Sequence, residues 1–414
     1  MKALRIALYG NMCNFLYQIA KALRNPDQAG VAHDAHLYIE RTSDLQNRPE
    51  ADDPELAGNS PDWVHVGDWM HGRRRALGVL WPAALPVVRE WRGYDLLIVS
   101  AEGPSAARFA GRPYLFLTGG GDLTLMPFPD RYNAGDPDGG WLRALVWRLR
   151  ARWQRAGIRA ASSVLTQPFR PFLEALDALG VRRDRISGTT SLLALDTARF
   201  RRNPAATVPT ALEGTDFLVF HPSRLMIRDD PVLRATGQWK ANEVLLRGFA
   251  AFLRSGQARR PVLALIERSH ARDIALARAE IARLDLQDHV VWLRGPTAEG
   301  FSRSALIDLY SVSDVVADDF GAGWFGSVAL EGCAAECPVL TYVDEAAMAQ
   351  MYPWHPFVNA RNEQDVAREL KRLNSDTQLR RQIGQRGRDW VVTFHALQPH
   401  RAKLRAELMK HALP

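Results

Sequence analysis

Cysteine is scarce in this chain. Its 414 residues contain only Cys13, Cys333 and Cys337, with no Cys-x-x-Cys pair and no Cys/His cluster. This scarcity argues against a disulfide framework and against a structural zinc site. No uninterrupted apolar stretch approaches the roughly 20 residues that a membrane-spanning helix needs. The opening "MKALRIALYGN" lacks the small-residue cleavage site of a signal peptide. We therefore expect a cytoplasmic protein.

Acidic residues are missing from one long stretch. None occurs between Asp138 and Glu174, whereas seven arginines do, at positions 143, 148, 150, 152, 155, 159 and 170. The formal net charge of the whole chain is +7. The basic character is therefore a local patch, and the rest of the chain is close to neutral.

Length and patterning predict an α/β protein of two domains. The chain is longer than one hydrophobic core usually supports, and its composition, 47% hydrophobic and 24% charged, is that of an ordinary globular protein. Apolar strand-like runs alternate with helical periodicity, which indicates βα units and parallel sheets. The stretch 201–216, rich in Pro, Thr and Ala, separates two such series. We expect two Rossmann-like domains facing a cleft, over residues 1–207 and 208–395, and a helix over 396–414 that packs back on the first domain.

Two cations follow the first predicted strand of the second half. "DFLVFHPSR" delivers Ser223 and Arg224 into a loop, and Lys240 precedes a helix that begins near Asn242. Ligands of open α/β sheets bind at this end of the strands. Arg and Lys that converge from two loops would neutralise a diphosphate. Solvated loop charges are the plainer interpretation of each residue taken alone.

The run "GSVALEGCAA", residues 326–335, places one carboxylate, Glu331, among small and apolar residues. A glycine-rich loop ending at Gly326 opens a helix predicted over about 327–335, whose first N–H groups could bind an anion. Glu331 lies about one turn into that helix, within reach of the hydroxyls of a ribose beside a diphosphate. The alternative is a helix carboxylate paired with an arginine.

Two glycine-containing turns follow strands in the first half. "GNMCN" begins at Gly10 and Asn11, and "TGGGD" ends at Asp122. Neither fits a dinucleotide or P-loop fingerprint. Asp122 is the best acid near the expected cleft, and we assign it a catalytic or acceptor-positioning role. It could equally be a helix N-cap.

Taken together, these segments resemble the family-4 (group 1) glycosyltransferases of the GT-B fold. The resemblance covers most of the chain and is strongest over 216–345. It rests on "HPSR", on Lys240, on the strand "DVV" and on "GWFGSVALEGCAAECPVLTY".

The resemblance implies specific roles. Arg224 and Lys240 match the pair that binds the donor diphosphate, and the backbone amides of Ser327 and Val328 match those that approach the phosphates. Glu331 matches the second Glu of a Glu-x7-Glu pattern, which holds the donor ribose. The full set of predicted binding residues is Gly10, Asn11, Arg224, Lys240, Gly326, Ser327, Val328 and Glu331, with Arg224, Lys240 and Asp122 as the catalytic set.

The sequence departs from the family pattern at two places. The first Glu of the pattern falls at position 323, which is Gly, so its contact with the donor sugar is missing. Asp318 or Asp319 is a nearby substitute. The spacing between Arg224 and Lys240 is also longer than is usual, as if a loop were inserted.

Residues 141–155, "WLRALVWRLRARWQR", are predicted to form an amphipathic helix. Its apolar face consists of Leu142, Leu145, Val146, Leu149 and Trp153. A helix rich in Trp, Leu and Arg suits the headgroup region of an anionic membrane. A surface helix packed on its own domain is an equal alternative. A nucleic acid is not expected as a partner, because no recognition motif accompanies the patch.

These observations lead to one functional hypothesis. We expect a retaining, metal-independent glycosyltransferase that moves a sugar from a UDP- or GDP-sugar to a lipid-linked glycan or cell-surface polysaccharide. No cofactor is expected, and the enzyme would be cytoplasmic and peripheral on the inner membrane face. The alternatives are a GT-B-shaped nucleotide-sugar epimerase or hydrolase and a non-catalytic scaffold that binds nucleotide sugars.

Overall fold

The computed structural model describes residues 3–26, 30–70, 86–133, 140–187, 193–228, 230–267, 271–295 and 301–411. It divides into two compact units. The N-terminal unit comprises Met1–Ala194 and Leu397–Pro414, and the C-terminal unit comprises Leu195–Ala396. Each is built on its own parallel sheet.

The N-terminal unit contains a seven-stranded parallel sheet in the order β3-β2-β1-β4-β5-β6-β7. Its strands are β1 (Arg5–Tyr9), β2 (Asp34–Glu40), β3 (Val64–Gly67), β4 (Leu96–Val99), β5 (Tyr114–Leu117), β6 (Ser163–Leu165) and β7 (Ile186–Ser187). Its helices are α1 (Phe15–Arg24), α2 (Pro86–Trp91), α3 (Gly103–Ala107), α4 (Gly121–Thr124), α5 (Pro129–Asn133), α6 (Gly140–Ala160) and α7 (Arg170–Ala178). Strand order reverses beside β1, as it does in a doubly wound fold.

The C-terminal unit contains a six-stranded parallel sheet in the order β10-β9-β8-β11-β12-β13. Its strands are β8 (Phe217–His221), β9 (Pro261–Ile266), β10 (Val290–Leu293), β11 (Val315–Ala317), β12 (Val339–Thr341) and β13 (Val358–Asn359). Its helices are α8 (Pro231–Ala235), α9 (Asn242–Leu253), α10 (Ala271–Arg283), α11 (Arg303–Val312), α12 (Ser327–Ala334), α13 (Glu345–Ala349), α14 (Glu363–Ser375) and α15 (Thr377–Phe394). The predicted helices near 271–284 and 327–335 are confirmed to within a residue.

The last helix, α16 (Leu397–His411), belongs to the N-terminal unit. Leu404 and Leu408 are fully buried in the same core as Leu16 and Ile19 of α1. The chain therefore returns to the unit in which it began, and burial of these two leucines in that core stabilises the return.

The boundary between the units lies at Leu195, before the linker predicted near 208. The reason is a set of bonds that ties residues 195–203 to the C-terminal unit. Arg388 donates to the carbonyls of Phe200 and Thr197, both at 2.7 Å. The Asn203 side chain donates to Asp308 at 2.6 Å. These hydrogen bonds attach a stretch without periodicity to the C-terminal unit.

Candidate donor site in the C-terminal unit

The polar residues predicted to bind a diphosphate lie at the carboxyl edge of the C-terminal sheet. Strands β8 and β11 are neighbours, and each ends in a polar pair. Ser223 and Arg224 follow β8, whereas Asp318 and Asp319 follow β11. The Ser223 hydroxyl donates to Asp318, so the two strand ends are joined by side chains.

Lys240 reaches this edge from the loop before α9. Its Nζ lies 3.3 Å from Asp319 Oδ2 and 3.8 Å from Asp318 Oδ1. Burial by itself lowers the pKa of Lys240, but the two carboxylates outweigh burial and hold that pKa above its usual value. Lys240 is therefore a fixed ammonium group. Arg224 lies near enough for its charge to act against the raised pKa of Lys240, and the binding role of both cations stays a prediction. The structure adds two carboxylates whose roles sequence reasoning left open.

The loop 318–326 is held to the Lys240 segment by main-chain bonds. Phe320 N donates to the Lys240 carbonyl at 3.0 Å, and Asp319 Oδ1 accepts from the N–H groups of Gly321 and Ala322 at 2.9 and 2.8 Å. Gly323 has φ +77°, and a Cβ there would lie 3.1 Å from the Tyr342 ring. The departure from the family pattern at 323 is therefore a backbone requirement, since a glutamate would be strained in this conformation.

The start of α12 faces open space. Gly326 is its N-cap, and a Cβ built there would meet no atom within 4 Å. Gly326 has no side chain to cap the helix, and no side chain of the described residues accepts from the N–H groups of Ser327 and Val328, so these groups are available to an anion. This is the feature that the predicted phosphate contacts require.

Glu331 lies inside a helix that is buried on nearly every side. Residues 329–334 of α12 are all buried, and a Cβ on Gly332 would lie 2.9 Å from Val339. On the other side, Gly387 of α15 lies against Cys333. Small residues dominate this run because a sheet and a helix both press on it.

The Glu331 carboxylate has two partners on α11. Arg303 Nη2 lies 2.7 Å from Oε1, and the Tyr310 hydroxyl donates to Oε2 at 2.9 Å. Burial first, and then the carboxylate, raise the pKa of Tyr310, so its hydroxyl keeps its proton. The alternative named for Glu331, a helix carboxylate paired with an arginine, is therefore what the structure shows. The ribose-binding role of Glu331 stays a prediction.

Sequence reasoning missed Arg303 and Tyr310, although a signal was present. The two residues are seven positions apart, which places them on one face of a helix two turns apart. The spacing alone does not name their partner. Only the structure shows that Arg303 is 9% exposed, and an arginine so buried needs an anionic partner.

The longer spacing between Arg224 and Lys240 contains a short helix of its own. α8 begins after Asp230, whose side chain accepts from the N–H groups of Val232 and Leu233. Arg228, just before it, is bonded through Nε to both oxygens of the buried Asp273 at 3.2 Å. The Arg228 side chain therefore attaches this loop to α10.

His221, the last residue of β8, is neutral. Met226 N donates to Asn242 Oδ1 at 2.6 Å, so the Asn242 amide nitrogen faces His221 Nε2, at 3.2 Å. Nε2 is then the acceptor, and Nδ1–H donates to the Ala317 carbonyl at 2.8 Å. Burial lowers the pKa of His221 to about 4. His221 therefore serves as an uncharged link between β8, β11 and α9.

The lowered pKa of His221 predicts a loss of stability in mild acid. Its pKa is lowered on folding from 6.5 to about 4, so the unfolded chain binds a proton that the folded chain does not. The neutral form of His221 contributes fully to the free energy of unfolding above pH 6.5. This contribution is lost as the pH falls towards 4, by on the order of 3 kcal/mol in total. Urea titrations at several pH values should show a shallower pH dependence for His221→Gln than for the wild type. Equal slopes would contradict the assignment.

In the N-terminal unit, the predicted binding residues Gly10 and Asn11 hold a turn. Gly10 has φ +94°, and a Cβ there would lie 2.7 Å from the Ser100 main chain. Asn11 is buried: its amide donates to Asn14 Oδ1 and the Asn47 carbonyl, and its oxygen accepts from Tyr17 N. Both residues fix the path between β1 and α1, and their ligand role stays a prediction.

Asp122 is bonded mainly to the main chain. Its carboxylate accepts from the N–H groups of Ala101, Gly119 and Gly120 and from the Ser100 hydroxyl, at 2.8 to 3.2 Å. Burial raises the pKa of Asp122, against these donors. The residue therefore joins the ends of β4 and β5 and organises the "TGGGD" turn. A catalytic role for it stays a prediction with no observed contact in its support.

The predicted basic helix is α6, and its two halves differ. Its second half packs on the N-terminal unit: a Cβ on Gly157 would lie 2.1 Å from the Pro104 carbonyl, and the ring of Trp153 lies 5.3 Å from that of Phe109. Its first half is open, with Trp141 79% and Leu145 45% exposed. The side chains of Leu142 and Arg143 lie outside the described residues.

Arg150 is not part of the solvated basic surface. It forms an ion pair with Glu102 in which each side chain is only 12% exposed, and its guanidinium lies 4.4 Å from the Trp147 ring centre. Arg148 and Arg152, by contrast, are exposed. Among the described residues, no group of three His, Cys, Asp or Glu side chains could hold a metal ion.

Comparison with solved structures identifies the architecture. HepE of Anabaena, crystallised with UDP and glucose, matches with a TM-score of 0.64 at 18% identity, over 98% of this chain and 100% of that one. A Rickettsia africae glycosyltransferase matches with 0.64 at 15% identity, over 99% of both chains. A putative UDP-N-acetylglucosamine 2-epimerase from Listeria monocytogenes gives 0.52 at 13% identity, over 99% of this chain and 96% of that one. The fold is GT-B.

The predicted fold class is thereby confirmed. The chain matches no protein-family model and no curated protein sequence. No helix among the described residues is both long and apolar enough to cross a membrane.

Proposed function

We propose that this GT-B chain is a glycosyltransferase that resembles family 4 and moves a sugar from a nucleotide-diphosphate sugar to an acceptor. The observation that carries the proposal is the arrangement of Arg224, the fixed ammonium of Lys240 and the open start of α12 along one sheet edge and the loop that leaves it. HepE, with the same fold, was crystallised with UDP-glucose. A diphosphate is the ligand that two cations and a helix start fit best.

The proposed chemistry is electrostatic. The diphosphate gains negative charge as the bond to the sugar breaks, and Arg224, Lys240 and the N–H groups of Ser327 and Val328 stabilise that charge. Asp318 and Asp319 keep Lys240 in place before the donor arrives. With these cations no metal ion is needed at the leaving group, and we propose a retaining reaction.

Glu331 is proposed to hold the donor ribose. Arg303 binds carboxylate Oε1 and the Tyr310 hydroxyl donates to Oε2, so two side chains of α11 hold the carboxylate. The two partners would fix the carboxylate before the nucleotide binds, which lowers the entropy that binding must offset.

The purified chain incubated with UDP- and GDP-sugars tests this proposal. Release of UDP or GDP only when an oligosaccharide or lipid-linked acceptor is present supports transfer. Release without acceptor indicates a hydrolase, and conversion of the sugar with the nucleotide retained indicates an epimerase, the activity named for the Listeria neighbour. Binding without turnover indicates a scaffold, consistent with Gly323 in place of the first motif Glu. Each of these three outcomes would contradict the proposal that the chain is a transferase.

We also propose that the acceptor is reached at an anionic membrane, as for a lipid-linked glycan or cell-surface polysaccharide. The exposed Trp141 and Leu145 at the open end of α6 would enter the headgroup region, and the exposed Arg148 and Arg152 would lie among anionic headgroups.

Replacing both apolar side chains with serine, Trp141→Ser together with Leu145→Ser, should weaken sedimentation with anionic vesicles by about tenfold or more, because each buried apolar side chain contributes roughly 1.5–3 kcal/mol. Leu173→Ser is the matched control, since Leu173 is 37% exposed on another helix of the same unit. Wild-type protein that ignores anionic vesicles, or an equal loss in the control, would contradict the membrane proposal.

A further inference from the structure

The N-terminal unit has a basic groove that the proposed donor site does not use. It is about 720 Å³ in volume and lies between α5 and α6. Four arginines of α6 line it, Arg148, Arg152, Arg155 and Arg159, opposite Pro129 and Asp130 of α5. Its size is in the range of small-molecule sites.

The four arginines form one stripe because of their spacing. Positions 148, 152, 155 and 159 recur at intervals of four, three and four, which keeps them on one face of an α-helix. At 1.5 Å per residue the stripe is about 16 Å long. Four like charges on one face repel one another, and an anion in the groove would relieve that repulsion.

The groove offers free donors. Arg148 and Arg152 have no hydrogen bond or ion pair with any described residue. Arg155 and Arg159 donate through Nε to the carbonyls of Ala151 and Leu179, at 3.3 and 2.6 Å, which orients each guanidinium and leaves its terminal amino groups available. Planar guanidinium groups bind phosphate oxygens in a bidentate manner.

We propose that this groove binds a phosphate or diphosphate group of a second ligand, distinct from the nucleotide sugar. The arginine stripe binds the anion. Asp130, an exposed carboxylate on the opposite wall of the groove, repels the anion and weakens its binding. The ligand group has two sources with the same chemistry, a phospholipid headgroup and a soluble phosphorylated molecule.

The test titrates the full-length protein with inorganic pyrophosphate and, separately, with dihexanoyl phosphatidic acid below its micelle concentration. Arg148→Gln combined with Arg152→Gln should lower the affinity at least tenfold, because two free charge-assisted donors are lost. The melting temperature should stay unchanged, since neither side chain has a partner among the described residues. Asp130→Asn should tighten binding several-fold, a gain that damage to the fold would not produce.

Two controls place the binding in the groove. Arg170→Gln combined with Arg182→Gln removes the same charge from exposed positions of the same unit and should leave affinity within about twofold. Lys240→Ala, in the proposed donor site, should retain the groove component of pyrophosphate binding.

The outcomes separate the two sources. A loss confined to phosphatidic acid assigns the groove to lipid headgroups, and a loss confined to pyrophosphate assigns it to a soluble phosphorylated molecule. Both support the proposal. It is overturned if neither ligand binds the wild type, if the control pair weakens binding equally, or if binding disappears in Lys240→Ala and persists in the groove pair.

Discussion

Glu331→Leu is expected to lower the free energy of unfolding by about 3–5 kcal/mol, the cost of leaving one member of a buried ion pair alone. The substitution leaves the Arg303 guanidinium, 9% exposed, without its carboxylate, and the Tyr310 hydroxyl without its acceptor. Urea denaturation followed by tryptophan fluorescence measures the change. Glu174→Leu is the matched control: Glu174 pairs with Arg170 on an exposed helix face, and its loss should change stability little.

A double variant distinguishes loss of the ion pair from the effect of placing a leucine at position 331. Arg303→Met combined with Glu331→Leu replaces both charges with apolar side chains and should recover most of the lost stability, since an apolar pair often substitutes for a buried ion pair. A single Glu331→Leu variant as stable as the wild type would show that the contact is not maintained in solution.

The ribose role of Glu331 needs a different variant. Glu331→Gln keeps the size but exchanges one acceptor oxygen for a donor, and calorimetric titration should show UDP or GDP affinity about tenfold lower, a difference of about 1.4 kcal/mol. Tyr310→Phe removes one of the two groups that hold the carboxylate and should lower nucleotide affinity less than Glu331→Gln does, because Arg303 still holds Glu331. Equal losses in both variants would mean that Glu331 acts only by holding α12 against α11.

Lys240→Met is expected to reduce kcat/KM by roughly 30- to 1000-fold, which corresponds to about 2–4 kcal/mol of transition-state stabilisation. Lys240 is held protonated at the sheet edge where the diphosphate is proposed to leave, and methionine keeps its length without its charge. Arg224→Ala should have a similar effect on transfer. Steady-state kinetics with the donor found by the incubation with UDP- and GDP-sugars gives the measurement.

The ion pairs of Lys240 require a second variant, because Lys240→Met also leaves Asp318 and Asp319 without a counter-charge. Lys240→Met combined with Asp319→Asn restores the local charge balance. If Lys240 contacts the leaving diphosphate, the double variant regains stability and remains inactive. Recovery of activity in the double variant would show that Lys240 only maintains the loop, and the proposed chemistry would fail.

Local pattern determined the architecture of this protein. Apolar runs such as 217–221 and 261–266 form parallel strands buried on both faces, and the helices that begin at Asn242 and Ser327 follow the predicted loops. These features depend on residues that are close in sequence, so the pattern of the sequence predicts them. The arrival of Arg224 and Lys240 at one edge followed from the rule that parallel strands end on the same side.

Only the tertiary structure determined which charged side chains are bonded to other groups inside the fold. Glu331 pairs with Arg303, 28 positions earlier, Asp122 binds the N–H group of Ala101, 21 positions earlier, and Arg150 pairs with Glu102. The sequence around a carboxylate that binds a ribose can be the same as the sequence around a carboxylate in an internal ion pair with an arginine. The two cases differ in the cost of burying the charge. That cost depends on distant residues brought to about 3 Å, so it is settled only when the chain has folded.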